Sequence, residues 1–244
     1  TPYTILVVDD NPDMTDFLKR TFEGYFKRII IAGDGVEALQ LVRSHVPDII
    51  VSDVMMPRMN GYKLCKTIKE DINISHIPVI LLTARDDRQS QISGYKNGAD
   101  GYLSKPFEVE MLMELIRNRL KNREYTKKRY LNAGLIPTPE ESTISLTDET
   151  FLIKLNSIIQ ENIENSNLGI QFICQEVGLG RSSLYNKLKA LTGMGANEYI
   201  SKLRIEKAIT LISGTDMPFS EIAEKTGFTT PSYFSTAFKQ YTGE

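Results

Sequence analysis

The sequence has no apolar run near the ~20 residues that a membrane-crossing helix needs. Its longest, ILVV (5–8) and PVILL (78–82), are strand-sized. It has only two cysteines, Cys65 and Cys174, far apart and each inside an apolar pattern. That excludes a disulfide framework and a cysteine-rich zinc site, and leads us to expect a reducing, cytosolic compartment and no membrane contact. The first residues, TPYTILVVDD, show neither the basic segment nor the cleavage site of a signal peptide, and no initiating Met, so the expectation is a piece of a longer chain. Excess charge of one sign is missing too. The net charge is −2, and it divides into −3 over residues 1–118, +1 over 119–149 and 0 over 150–244. Many nucleic-acid binders carry an overall basic footprint; here any DNA contact must rest on where charges sit. What remains is an ordinary globular composition, 41% hydrophobic and 25% charged over 244 residues, enough for one or two domains.

The first half alternates β-branched runs with helical periodicity. The runs are 4–8, 28–31, 48–52, 78–82 and 101–104; between and after them, apolar residues recur at three- and four-residue spacing over 14–22, 36–44, 61–72, 88–97 and 108–121. Five strands alternating with helices predict an α/β domain, a doubly wound five-stranded parallel sheet covered on both faces. In such sheets the chemistry gathers past the carboxyl ends of the strands. Asp9 and Asp10 end the first run, Asp53 the third, Thr83 the fourth, and Lys105 follows the fifth. Clustered carboxylates repel one another unless a cation is present, and hard oxygen ligands suit Mg²⁺. Metal, carboxylate nucleophile, lysine and threonine together suit uptake of a phosphoryl group: a carboxylate oxygen attacks in line while cations offset the charge on phosphorus oxygens. Any one of these residues alone is more often a solvated turn; it is their agreement with strand ends that points to chemistry.

The strings ILVVDD (5–10), DIIVSDVMMPRMNGY (48–62), PVILLTAR (78–85) and GADGYLSKPF (98–107) resemble the receiver domains of two-component response regulators, a flavodoxin-like fold. The resemblance covers about 1–122. It implies that Asp53 is phosphorylated by a cognate histidine kinase, that Asp10 binds Mg²⁺ directly and Asp9 mostly through water, and that the Met55 carbonyl is the third protein ligand. Thr83 and Lys105 would touch the phosphoryl oxygens. Tyr102 matches the family's aromatic switch position, with Thr83 moving toward the phosphoryl group and the ring filling the space it leaves. Helix 88–97, the fifth strand and helix 108–121 would form the output face, joining a homodimer on activation. An aspartyl-phosphate phosphohydrolase is a different class; it would carry an Asp two residues after the nucleophile, where this chain has Met55. A receiver that docks partners without accepting phosphate would not need the full set of Asp9, Asp10, Asp53, Thr83 and Lys105.

A basic helix extension and linker follow over 123–149, where Lys127, Lys128 and Arg129 precede a stretch with two prolines and several Ser and Thr. From 150 on the chain reads as all-α, with Gly and Pro at the joints, and it repeats itself. Ile173-Cys174 before Gly178-Leu179 matches Ile222-Ala223 before Gly227-Phe228 at an offset of 49. That predicts two helix-turn-helix units. In the first, periodicity buries Leu184, Leu188 and Leu191 and turns Ser182, Tyr185, Asn186 and Lys189 outward, with Arg181 at the helix start. In the second it buries Phe234, Ala237, Phe238 and Tyr241 and turns out Pro231, Ser232, Ser235, Thr236 and Lys239. Short polar sets with basic ends suit a helix entering the major groove. The helix between, about 27 Å long, could place two such helices one DNA turn (~34 Å) apart. Its Lys202, Arg204 and Lys207 are expected to pair with Glu198 and Glu206 or to touch phosphate.

The strings SSLYNKLKALTG (182–193), NEYISKLRIEKAITLI (197–212) and SEIAEKTGFTTPSYFSTAFKQYTG (220–243) resemble the AraC/XylS-type DNA-binding domains, which implies promoter DNA as partner. Gly195-Ala196 departs from the family's usual Ser-Pro there, and the sequence stops before the family's Ser-Pro and aromatic-Arg ending. The combination also resembles the cytoplasmic end of hybrid two-component sensors, whose kinase pieces are not in this sequence: His45 and His76 lie in receiver-like segments and no nucleotide-binding Gly-rich motif is present.

Overall fold

The structure is a computed structural model that describes residues 2–84, 98–132 and 145–243, without the side chains of 129–132. The predicted helix over 88–97 therefore lies outside the described residues. The chain forms two compact bodies. One comprises the described residues up to Tyr125 together with Ser145–Asp148; the other comprises 126–132 and 149–243.

In the first body β1 (Thr4–Val8), β2 (Arg28–Ala32), β3 (Ile49–Asp53), β4 (Val79–Ala84) and β5 (Gly101–Lys105) form one sheet in the order β2-β1-β3-β4-β5. Every pairing is parallel. α1 (Pro12–Phe22), α2 (Gly35–His45), α3 (Gly61–Glu70) and α4 (Val109–Asn132) are the helices described with it, and α4 carries the basic stretch as helix. Strand side chains alternate between faces, and two cores result. Leu6, Val8, Ile50, Val79 and Leu81 pack with Ala38 and Val42 of α2 and Leu64, Cys65 and Ile68 of α3. Ile5, Val7, Ile49, Val51, Ile80 and Leu82 pack with Leu18 and Phe22 of α1 and Leu112, Ile116 and Leu120 of α4.

Caps set the helix starts next to the strand ends. Asn11 accepts from the Asp13 N–H ahead of Pro12 at the start of α1, and Asp34 accepts from the N–H groups of Val36 and Glu37 to open α2. At the opposite edge of the sheet, the Ser75 hydroxyl donates to Asp148 Oδ1 at 2.7 Å and the Thr147 hydroxyl to the Lys69 carbonyl at 2.9 Å. Ser75 and Asp148 are both buried. The helix carrying Thr147 and Asp148, α5 (Leu146–Glu161), begins four residues before the point from which the sequence reads as helical.

The second body is helical throughout its described residues. After α5 come α6 (Ile170–Val177), α7 (Arg181–Thr192), α8 (Ala196–Gly214), α9 (Phe219–Lys225) and α10 (Pro231–Thr242). The repeat is visible in the backbone. Gly178 and Gly227 both have φ +74°, and the next N–H returns to an equivalent carbonyl in each unit, Leu179 to Cys174 at 3.1 Å and Phe228 to Ala223 at 3.0 Å. This left-handed step turns the chain from the supporting helix into the next one. Ile205, Ala208, Ile222, Ala223, Phe228 and Phe234 form the core of the second unit. Around Phe234 the rings of Phe219, Phe228 and Phe238 lie 4.6, 5.1 and 5.6 Å away, centroid to centroid.

Candidate functional site

Asp9, Asp53 and Lys105 meet at the carboxyl edge of the sheet. Lys105 Nζ lies 2.6 Å from Asp53 Oδ1 and 2.8 Å from Asp9 Oδ2. Strand alternation explains the meeting: all three continue the odd-numbered face that packs against α1 and α4. The Asn11 N–H donates to Asp9 Oδ1 and the Met55 N–H to Asp53 Oδ2, both at 2.9 Å. Burial pushes the Asp53 carboxyl above its ordinary pKa. The Lys105 ammonium and the Met55 N–H pull the other way, while the Asp9 charge adds to the rise. Burial works against the Lys105 charge, but the carboxylates of Asp53 and Asp9 outweigh it and raise that pKa.

Asp10 is the exception. It is exposed, in the bend that follows β1. The three carboxylates expected to converge are thus two, with an ammonium between them; among the described residues no group of three acidic, His or Cys side chains is arranged to hold a metal. The Lys105 ammonium offsets the repulsion between the paired carboxylates. The donors still suit a hard cation, since Asp9 and Asp53 are buried carboxylates at one point and Asp10 adjoins them.

Thr83 is fully buried and its hydroxyl has no hydrogen-bond partner among the described residues. A buried unsatisfied hydroxyl is costly, and at a strand end it fits a donor awaiting an oxygen ligand. Thr83 pairs with Ser104 and Leu81 with Tyr102, so Thr83 and Tyr102 share a face of the sheet. Tyr102 is half-buried and packs against the core of α2 and α3. Met55, whose carbonyl was expected as a ligand, has an exposed side chain.

The loop after Asp53 closes tightly. The Gly61 N–H donates to the Val54 carbonyl, and a Cβ on Gly61 would lie 2.2 Å from the Asp53 carbonyl oxygen, so only glycine fits. Two residues that the motifs do not single out hold the same loop: Arg58, with φ +59°, places its guanidinium on the buried carboxylate of Asp34. The Gly35 N–H donates to the Met59 carbonyl at 3.2 Å. Although Asp34 is buried, which raises its pKa, hydrogen bonds from Arg58, Glu37 and Val36 leave it below the ordinary value.

In the second body, Arg181, Ser182, Tyr185, Asn186 and Lys189 of α7 are all exposed over buried Leu184, Leu188 and Leu191. On α10, Pro231, Ser232, Ser235, Thr236 and Lys239 are exposed over Phe234. Two expectations are corrected. Tyr241 is exposed, lying in the last turn with its hydroxyl donating to Glu206 at 3.1 Å; burial and the Glu206 charge push its pKa up to about 12. Arg204 does not face phosphate: it is buried, donates to the Asn165 carbonyl at 2.6 Å and lies under the Phe228 ring. Lys202 lies 3.7 Å from Glu206, but Lys207 pairs with Glu164, and Glu198 accepts from the Gly195 N–H, so α8 starts at Ala196 without the usual Ser-Pro. Tyr233 is an exposed α10 residue that the outward set omits. Lys187, fully buried over the Phe151 ring, has no sequence signal that sets it apart from a surface lysine.

This constellation is that of a receiver domain followed by a helix-turn-helix domain. Residues 5–117 match the response regulator receiver domain and 173–244 a helix-turn-helix domain. The chain belongs to the response regulators. It is 36% identical over 165 residues to the response regulator MprA of a Mycobacterium species, which covers 62% of this chain and 70% of that protein. It is 40% identical over 237 residues, 97% of this chain, to histidine kinase P4 of Formosa agariphila, and spans 17% of that protein's length. The receiver domain of the Francisella response regulator 1452 is similar at 38% identity, with a TM-score of 0.44, covering 49% of this chain and 97% of that one.

Proposed function

We propose that the chain takes a phosphoryl group on Asp53 from a histidine kinase and, in response, alters its binding to specific promoter DNA. The observation that carries this reading is the pairing of Asp53 with Lys105 and Asp9 at the carboxyl edge of the sheet, where the buried Thr83 hydroxyl near the end of β4 is also unsatisfied. An Asp53 carboxylate oxygen attacks phosphorus in line, the new P–O bond forms, and the bond from phosphorus to the donor breaks. Lys105 then offsets charge on a phosphoryl oxygen, and the Thr83 hydroxyl donates to another. Receiver domains generally use Mg²⁺; here the Asp9, Asp10 and Asp53 carboxylates and the Met55 carbonyl would hold it, and it would supply positive charge at the phosphoryl oxygens. Filling the Thr83 donor would draw that residue from the face it shares with Tyr102 and let the ring follow, with a homodimer joined through β5 and α4 as output.

The exposed sets on α7 and α10 are the reading faces, Asn186 and Ser232 toward base edges and Lys189 and Lys239 toward phosphates. Domain limits of 1–122, 123–149 and 150–244 describe this division, in a cytosolic setting. The near full-length similarity to a named histidine kinase supports a longer parent that carries the kinase on the same polypeptide. With Mg²⁺ and a small phosphodonor, the protein gains one acid-labile phosphate per chain and Asp53→Asn gains none; equal labelling of both overturns the assignment. A promoter fragment retained equally with and without beryllofluoride overturns the coupling.

A further inference from the structure

We propose that Asp34 and Arg58 are positioning residues for the phosphoacceptor site, a strap that fixes the loop between β3 and α3 so that Met55 is presented to Asp53 and to the metal; this rests on the phosphoryl-accepting reading above. Three observations converge on that loop. Arg58 has φ +59°, a conformation that disfavours any residue with a Cβ, and such strain persists only where the surroundings hold it. Its guanidinium sits on Asp34, whose side chain is 6% exposed. The neighbouring Met59 carbonyl accepts from the Gly35 N–H, and a Cβ on Gly35 would lie 2.6 Å from that carbonyl oxygen, so the loop lies directly against the first turn of α2.

The loop's two ends bear on the chemistry. At one, the Met55 N–H donates to Asp53 Oδ2. At the other, the Gly61 N–H returns to the Val54 carbonyl. Between them, the ion pair joins an exposed guanidinium to the residue that caps α2. A partly exposed pair of this kind adds little to stability. Its effect lies in where it holds the loop, as outer contacts commonly orient the groups that bind a metal.

Asp34 also caps α2, accepting from Val36 and Glu37. Asparagine caps a helix as well as aspartate does, so Asp34→Asn keeps the cap and removes the carboxylate that holds Arg58. Arg58→Lys keeps a cation there. Arg58→Gly suits the left-handed backbone but removes the guanidinium, separating strain from strap.

The test measures Mg²⁺ affinity by calorimetry on the full chain, with phosphate labelling and the melting temperature alongside. Arg58→Ala, Arg58→Gly and Asp34→Asn should each weaken Mg²⁺ binding by about tenfold, with melting temperatures near that of the parent. Arg58→Lys should recover most of the affinity, and Asp34→Asn with Arg58→Ala should be no worse than either alone. Unchanged Mg²⁺ affinity in Arg58→Ala, wild-type affinity in Arg58→Gly, or additive losses in the double variant would each overturn the strap. Should Asp34→Asn not fold, the Arg58 series decides. Failure of wild-type labelling at Asp53 would instead overturn the reading beneath it, which the calorimetry keeps distinct.

Discussion

Lys105 stands between two carboxylates, 2.6 Å from Asp53 and 2.8 Å from Asp9, and is the cation that makes their pairing tolerable at a buried strand end. Replacing it with Met should leave two buried carboxylates facing each other. The Asp53 pKa, already raised by burial, should climb further, and phosphate uptake should fall by at least about a hundredfold, as for loss of an electrostatic stabiliser. Carboxyl NMR titration and labelling kinetics check both.

Asp53 itself should work against folding near neutral pH. Its folded pKa lies above the unfolded value, chiefly through burial, so the ionised form is less favourable in the folded protein. That cost is present above the folded pKa and disappears as pH falls below the unfolded value. Asp53→Asn should therefore melt higher than wild type at pH 7, with the advantage shrinking toward pH 3. A variant less stable than wild type at pH 7 contradicts the sign.

Much of this was legible in the sequence because parallel strands buried on both faces read as short apolar runs, and a charged residue ending such a run marks the edge of the sheet. The places of Asp9, Asp53, Thr83 and Lys105 at the strand ends were legible that way, as were the joint glycines at an offset of 49. Asp10, expected beside them, lies exposed in the bend after β1, where the alternation of a strand no longer fixes a side chain's direction. Lys187 and Arg204 were missed because nothing local distinguishes a lysine under Phe151, or an arginine under Phe228, from a solvated one; their burial is decided by residues far along the chain. The Asp34–Arg58 contact is equally long-range, 24 residues apart.

The two joint glycines should respond differently to the same substitution. A Cβ on Gly178 meets nothing within 4 Å, so Gly178→Ala should cost only the left-handed penalty, about 1–2 kcal/mol. On Gly227 it would lie 2.2 Å from the Ile163 carbonyl oxygen and 2.8 Å from Arg204, so Gly227→Ala should cost clearly more. Urea unfolding of the two variants gives the comparison.

Cys65 should be inert. It is fully buried, and burial pushes its thiol up to about 12, leaving roughly one thiolate in ten thousand at pH 8. Ellman's reagent should titrate one thiol per native chain, the half-buried Cys174, and two in guanidinium. Rapid reaction of two in the native protein contradicts this.

On DNA, Lys189→Ala should weaken binding to all sequences alike and lower the salt slope by about 0.9. Asn186→Ala should reduce discrimination between sites by about 1–3 kcal/mol while leaving non-specific binding in place. Gel-shift titrations at several salt concentrations separate the two.

The contacts of Thr147 and Asp148 bear on how the halves can be taken apart. The border between the bodies falls inside the opening turn of α5, past the proline-containing stretch where a protein engineer would naturally cut. A receiver ended at Tyr125 surrenders the acceptor for a buried serine, and a DNA reader begun at Leu146 carries with it a turn whose polar groups were meant for another surface. Splitting after Asp148 keeps that serine's acceptor but takes 126–132 away from the body they belong to.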